Sequence, residues 1–287
     1  MPTTSNPTRR VTAILDLLTI HPHGLSLTEI ARELHISKST CLAILTELTR
    51  AGYLVHDALS RRYLLGTALL AAGETAASLL PGLAELRDAL AEVSRSCDVV
   101  CGANVLAGDE LVVVLRVGPP DPLDTAPVGQ RVPFVAPYGI SLVAWADRAT
   151  FASWLARCPA PLEDRDIESI ERSVAIARRR GFAVTRPQST ISARRFAAEL
   201  PYLRDEPGFR EQFARTALEY IRSGFHLDHI DARGQYTFLS IHAPVATTGP
   251  RPVVSPHILG NMLEVPGRTI LRLGERLAAA VAEVRVG

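Results

Sequence analysis

Apolar residues recur at helical spacing through the first 50 positions, in three short stripes separated by breaks. Val11, Ile14, Leu15 and Leu18 make the first, Leu27, Ile30, Ala31 and Leu34 the second, and Cys41, Ile44, Leu45 and Leu48 the third. Residues at i, i+3, i+4 and i+7 share one side of a helix, so each stripe predicts a helix with a single buried face. His21-Pro22-His23-Gly24 interrupts the pattern, and Ser26 with Glu29 three residues on has the form of a capping box that restarts it. Ser37 suits the N-cap of the third helix and Gly52 its left-handed C-terminal end. Only His35 and Ile36 separate the second and third stripes, which forces those helices to cross steeply. The period then changes: Tyr53 to His56 and Arg61 to Leu64 read as two strands around Asp57-Ala58-Leu59-Ser60.

Three helices followed by a hairpin is the sequence form of a winged helix-turn-helix, which presents its third helix to the DNA major groove. The outward face of that helix carries Ser39, Ala43, Thr46 and Arg50, flanked by Leu42 and Glu47. Small side chains let a backbone approach base edges. Lys38, Ser39 and Thr40, behind the Ser37 cap, stand where side chains and free N–H groups meet a phosphate. Arg61 and Arg62 fall on the wing. Residues 1 to 66 hold seven basic side chains (Arg9, Arg10, Arg32, Lys38, Arg50, Arg61, Arg62) and five acidic ones (Asp16, Glu29, Glu33, Glu47, Asp57). So slight an excess supports DNA binding through its distribution rather than its total. Three-helix units with a hairpin also serve as protein-docking modules.

Residues 67 to 80 are rich in Ala and Leu and end at Pro81-Gly82, as a linker helix would. Leu83, Leu86, Leu90 and Val93 predict a further amphipathic helix, and Val99 to Leu106 and Leu111 to Val117 a hairpin turning at Ala107-Gly108-Asp109-Glu110. Ile170 and Val174 predict a helix running into Arg178-Arg179-Arg180-Gly181, where three arginines complement a helix C-terminus more readily than they mark a nucleic-acid patch. Tyr236 to Val245 and Pro252 to Leu259 read as paired strands, and Ile270, Leu273, Leu277 and Val281 as a closing helix within 264 to 285.

At 287 residues, 47% hydrophobic and formally +1, the chain is long enough for two domains and its charge excludes neither acidic nor basic partners. No apolar run reaches the roughly 20 residues that span a bilayer. Met1 to Arg10, polar with two prolines, lacks the form of a signal peptide and reads as a mobile arm on a cytoplasmic protein. Four cysteines, at 41, 97, 101 and 158, do not make a disulfide framework. Cys97 and Cys101 suggest a redox pair or, with His226 and His229, a metal site, although Cys-x3-Cys is not a usual zinc spacing and buried inert thiols are commoner. The chain holds no G-x-S-x-G elbow, P-loop, G-x-G-x-x-G or H-E-x-x-H, so neither catalytic nor metal residues nor a cofactor are expected.

Arg10 to Leu18, Leu25 to Leu34, Ser37-Lys38-Ser39-Thr40 and Arg62-Tyr63-Leu64-Leu65-Gly66, in that order, resemble the DNA-binding domain of IclR-family transcriptional regulators. The chain departs from that family at Leu42-Ala43, where members often carry an Arg. The likeness continues through Val128-Gly129-Gln130-Arg131-Val132-Pro133 to Pro137-Tyr138-Gly139-Ile140-Ser141 and the strand ending Ala243-Pro244-Val245, and breaks at 189 to 224, which read as a helical insertion. It implies an α+β chain: a winged helix-turn-helix at 8–66, a linker helix at 67–82 and a GAF-like, profilin-like α/β effector domain at 83–287. On this reading Arg9, Arg10, Ser37, Lys38, Ser39, Thr40, Ala43, Thr46, Arg50, Arg61 and Arg62 meet a pseudo-palindromic double-stranded operator. Asn104, Tyr138, Gly139, Ser141, Ser240 and His257 meet a small-molecule effector, an anion if the N–H groups opened by Gly139 and Ser141 hold it. A homodimer or homotetramer follows, with coupling through the 67–80 helix. Two alternatives stay open: a thiol- or metal-responsive regulator, and a ligand- or protein-interaction module that no longer binds DNA.

Overall fold

The computed structural model describes residues 6–80, 82–120, 128–187, 209–247, 254–260 and 263–286. It divides into two compact units, Met1–Leu79 and Leu80–Gly287.

In the first unit α1 (Asn6–Thr19), β1 (Leu25–Ser26), α2 (Leu27–Glu33) and α3 (Lys38–Arg50) precede a hairpin of β2 (Leu54–Asp57) and β3 (Arg62–Leu65), and α4 (Ala68–Ser78) closes it. The three strands form an antiparallel sheet in the order β1-β3-β2. Its core draws Ile14, Leu17 and Leu18 from α1, Ile30 and Ala31 from α2, Cys41 and Leu45 from α3, and Leu54 and Tyr63 from the hairpin. Leu17 takes the place the periodicity gave to Val11 and Leu15, which are half-buried. Both expected caps form: Ser26 and Glu29 exchange their side chains for each other's backbone N–H, and Ser37 Oγ accepts from Thr40 N at 3.2 Å. Such caps are worth about 1 kcal/mol each. Gly52 follows α3 at φ +78°, the left-handed stop. Arg9 and Arg10 lie within α1 and not on an arm, because the helix already starts at Asn6; Pro7 sits in its first turn, where a missing N–H costs nothing. Residues 1–5 lie outside the described residues.

The second unit starts with α5 (Leu83–Cys97), β4 (Val100–Ala107), β5 (Glu110–Val117), β6 (Arg131–Pro133), α6 (Ile140–Val143), α7 (Arg148–Ala156), α8 (Asp164–Arg180) and β7 (Ala183–Thr185). Then come α9 (Phe209–Arg222), β8 (Gln235–Tyr236), β9 (Ser240–His242), β10 (Ala246–Thr247), β11 (Val254–Leu259), β12 (Val265–Pro266), α10 (Gly267–Val281) and β13 (Arg285–Val286). A six-stranded sheet, β6-β5-β4-β11-β9-β7, is antiparallel throughout. Residues 225–227 extend it past β7, with Arg186 N donating to Phe225 O and Leu227 N to Val184 O, both at 2.9 Å. Of the expected insertion, Phe209–Arg222 is helix α9; Ala193 to Leu203 lies outside the described residues.

One face of the sheet presents Cys101, Ala103, Leu115, Val184, Ile241, Val254 and Ile258 to α5 and α10, which contribute Leu86, Leu90, Val93, Ile270, Leu273, Leu277 and Val281. These helix residues are the ones the periodicity selects. The strand read over Tyr236 to Val245 is broken in two, a correction to the sequence reading. Tyr236 pairs with Val265, the chain turns inward at Phe238, and Leu239 N donates to Thr185 O at 2.8 Å before β9 begins. Two of the three arginines ending α8 are structural: Arg178 donates to the carbonyls of Ala144 and Ala146, and Arg180 to Leu227 O, while Arg179 is exposed. Among the described residues, no helix is long and apolar enough to cross a membrane.

Candidate DNA interface and sensor face

Because Cys41 and Leu45 are wholly buried, α3 turns Ser39, Leu42, Ala43, Thr46, Glu47 and Arg50 outward. Its N-terminus is held by hydroxyls: Ser37 Oγ donates to Thr40 Oγ1 at 2.8 Å and lies 3.0 Å from Ser39 Oγ. The connection to α2 is tight, with Ile36 N donating to Ala31 O and His35 at φ +51°. Lys38 is exposed beside the free N–H groups of the first turn. Arg50 Nε and Nη2 both donate to Glu47 Oε2, at 3.0 and 2.8 Å. An exposed, solvent-screened pair of that kind holds Arg50 only weakly, leaving it able to exchange Glu47 for a phosphate.

Arg61 and Arg62, paired by sequence, part company in space. Arg61 is exposed where the hairpin turns back, at φ +56°. Arg62 points inward instead: its Nη1 donates to Gly24 O at 2.6 Å and its Nη2 lies 3.4 Å from Glu29 Oε1, tying the wing to the start of α2. These partners occupy the Arg62 guanidinium within the wing, with its side chain 38% exposed. Arg9, bonded to Asn6 Oδ1, and Arg10 lie on α1, while Thr40 is half-buried. The structure therefore brings Ser37, Lys38, Ser39, Ala43, Thr46 and Arg50 together on α3.

In the second unit, the sheet face away from α5 and α10 is polar at its centre. Strand alternation puts Ser240 and His242 of β9, Ser255 and His257 of β11 and Thr185 of β7 on that side. Thr185, Ser240, His242 and Ser255 join Ser141 in one hydrogen-bonded chain, while His257 Nδ1 lies 3.3 Å from the Ser255 carbonyl oxygen. Ser255 Oγ donates to Ser141 Oγ at 2.9 Å. Having spent its proton, Ser255 accepts from His242 Nδ1 at 3.0 Å. His242 Nε2 must then accept from Ser240 Oγ at 2.8 Å, and Ser240 from Thr185 Oγ1 at 2.6 Å. One tautomer of His242 thus fixes the direction of the whole relay. Burial holds His242 well below the usual imidazole range, with the charge of His257 next in effect. Burial likewise brings His257 down to about 4. Both rings are neutral at pH 7, and their centroids lie 5.3 Å apart. Asn104 stands directly across from Ser255 in the β4–β11 ladder, and its Oδ1 is buried with no hydrogen-bond partner among the described residues.

The polar face gathers Asn104, Ser141, Ser240 and His257, four of the six residues the sequence reading assigned to an effector. Thr185, His242 and Ser255, which that reading missed, link them. Tyr138 stands apart in an aromatic cluster, stacked on Phe213 at 5.7 Å and tilted on Tyr220 at 6.1 Å. Of the expected anion-binding helix start, Gly139 adopts a left-handed φ of +86°, but α6 spans only Ile140–Val143, too few aligned peptides for an appreciable dipole, and the Ser141 hydroxyl accepts from Ser255 Oγ.

The cysteines make no comparable site. Burial pushes the Cys101 thiol up to about 12, with Cys97 adding to the effect, so it carries no thiolate at neutral pH. His226 is occupied, its Nδ1 on Asp228 Oδ1 and its Nε2 accepting from Val184 N. Among the described residues, no group of three His, Cys, Asp or Glu side chains is arranged to hold a metal ion.

A winged helix with a bare polar recognition face, joined to an α/β domain with a buried polar sheet face, defines a two-domain DNA-binding regulator. Residues 7–58 match the family model for the IclR helix-turn-helix domain. The transcriptional regulator XynR of Escherichia coli strain K12 is 27% identical over 183 residues, which span 61% of this chain and 72% of that one. An IclR transcriptional regulator from Alicyclobacillus acidocaldarius shares the fold at a TM-score of 0.61 and 21% identity, over 97% of this chain and 95% of that one. An IclR homologue from Microbacterium hydrocarbonoxydans, solved as a complex with 4-hydroxybenzoate, superposes at a TM-score of 0.57 and 15% identity, over 96% and 97% of the two chains. Residues 7–58 thus form an IclR-type helix-turn-helix domain, a DNA-binding domain of transcriptional regulators, and the chain shares the fold of the solved IclR regulators.

Proposed function

We propose that this regulator is a cytoplasmic homodimer or homotetramer that reads a pseudo-palindromic operator through α3, under control of a small molecule bound on the polar sheet face. The functional boundaries on this reading are 8–66 for DNA binding, 67–82 for the linker and 83–287 for sensing. The observation that carries the DNA half is the outward face of α3, where Ser39, Ala43 and Thr46 leave room for base edges and Lys38 and Arg50 supply charge. The unpartnered Asn104 Oδ1 beside the hydroxyl and imidazole chain supports a sensor that binds through hydrogen bonds. Arg62 and Tyr138 drop out of the contact set, and Thr185, His242 and Ser255 enter it. A ligand that binds two oligomer geometries unequally shifts half-site spacing, which is sufficient for control.

Fluorescence anisotropy of the full chain on its own upstream intergenic DNA, against a scrambled duplex and across a salt series, tests the reading. Preference for the upstream duplex that survives near-physiological salt is expected, and Lys38→Ala flattens the salt dependence by about one counterion. Equal, weak binding to both duplexes sinks it. The first sensor probe is 4-hydroxybenzoate, the ligand of the Microbacterium relative.

A further inference from the structure

The tip of the wing carries an apolar side chain that does nothing for the wing. Leu59 is 97% exposed and so packs on nothing within its own unit among the described residues. Its neighbours perform the turn: the Asp57 carboxylate accepts from Leu59 N at 3.1 Å, Ser60 N at 3.2 Å and Ser60 Oγ at 2.5 Å. Those bonds, that of the Ser60 hydroxyl first, hold the Asp57 carboxyl below the usual range, so its charge is directed into the turn. Arg62 clamps the base of the same hairpin to Gly24 and Glu29. Arg61, in a left-handed conformation, carries an exposed cation two residues from the leucine. The tip is thus a rigidly mounted hydrophobic knob with a positive charge beside it, on the domain that holds the recognition helix.

We propose that Leu59 is a minor-groove wedge, inserted against the deoxyribose walls and base edges beside the major-groove site of α3, with Arg61 on the flanking phosphate. This rests on the DNA-binding reading above. The chemistry fits one partner: the groove walls are sugar C–H surface rimmed by phosphates, and apolar wedges unstack flexible steps there and kink the duplex. Because the mount is preformed, little ordering entropy is lost on insertion. Pyrimidine–purine steps, TA above all, yield most easily, so operator preference extends to flanking base pairs that α3 never touches.

The test uses duplexes selected by the wild-type full chain from a random-sequence pool, end-labelled for energy transfer. Leu59→Ala is expected to bind the selected duplex about tenfold more weakly, with an unchanged salt slope and a loss of the DNA bend. Leu59→Met is expected to keep the bend. Arg61→Ala is expected to lower the salt slope by about one instead. Substituting the flanking TA step should weaken the wild type and leave Leu59→Ala indifferent. Wild-type affinity and bend in Leu59→Ala overturn the proposal while the DNA reading stands. So does a Leu59→Ala chain whose only change is a smaller sedimentation coefficient, the mark of a contact between copies. If the pool yields no enriched duplex with the wild type, the DNA reading itself fails, and the wedge with it.

Discussion

The two faces of the six-stranded sheet are built from the same strands and obey opposite rules. In β11, Val254 and Ile258 enter an apolar core against α5 and α10, while Ser255, one step away, enters a hydrogen-bonded chain and His257 bonds the Ser255 carbonyl beside it. The first face is held by area removed from water, which is non-directional and forgives changes of shape. The second depends on each donor meeting an acceptor, so removing one group strands its partners. The proposed sensor role rests on this second arrangement at the centre of the sheet.

The largest expected effect comes from breaking the apolar face. Ile258→Ala, at a wholly buried position, should cost about 2 to 5 kcal/mol through lost transfer energy and a residual cavity. Trp145 and Trp154 are the chain's two tryptophans and both lie in the second unit, so urea unfolding followed by their emission reports that unit alone. A loss below about 1 kcal/mol would mean the apolar face does not carry the domain.

Acid attacks the other face. The His257 pKa falls from an ordinary 6.5 to about 4 in the folded chain, so between those values the unfolded chain binds the extra proton. Stability therefore rises with pH across that window and is lost as pH drops through it, by on the order of 3 kcal/mol from this residue alone. His242, also depressed, acts in the same direction. The tryptophan-monitored urea midpoint should fall steeply from pH 6.5 to 4.5, and His257→Phe should make that fall shallower. Identical slopes in the two proteins would place the sensitivity elsewhere.

How legible each face is in the sequence follows from the same contrast. The apolar face needs only periodicity, and Leu86, Leu90, Ile270, Leu273 and Leu277 are all visible as stripes. The first unit is legible for a further reason: its caps, Ser26 with Glu29 and Ser37, are local chemistry within four residues. The polar face is assembled from β7, β9, β11 and α6, whose partners are far apart along the chain, and no spacing rule joins Thr185 to Ser240 or Ser141 to Ser255. A weak signal does exist, since Ser240-Ile241-His242 and Ser255-Pro256-His257 each alternate polar and apolar residues at the strand period. Reading both polar positions in each triplet yields His242 and Ser255 as well as Ser240 and His257. Arg62 misleads in the reverse way: nothing local distinguishes it from Arg61, and only the fold reveals Gly24 and Glu29 behind it.

A smaller effect sharpens the claim that the polar face is a connected relay. Ser255→Ala removes both the donor to Ser141 and the acceptor for His242 Nδ1, and should cost about 1 to 3 kcal/mol. His242→Phe should cost a similar amount. Because both variants break the same chain, the double variant should cost clearly less than their sum. Strict additivity in the urea series would show that the two residues are satisfied independently.

The smallest stability effect is the most telling about function. Asn104 lies across the ladder from Ser255 on the same face, yet its buried Oδ1 accepts no hydrogen bond from any described residue. A buried acceptor left unpaired adds no stability and carries a desolvation cost, so Asn104→Ala should lower the unfolding free energy in urea by no more than about 0.5 kcal/mol. If that acceptor serves a ligand, the same substitution should abolish the response of DNA binding to whichever effector the anisotropy screen identifies, leaving operator affinity without effector intact. A destabilisation comparable to Ser255→Ala would make Asn104 another member of the relay. An unaltered effector response would remove it from the sensor face and leave its buried oxygen without a role.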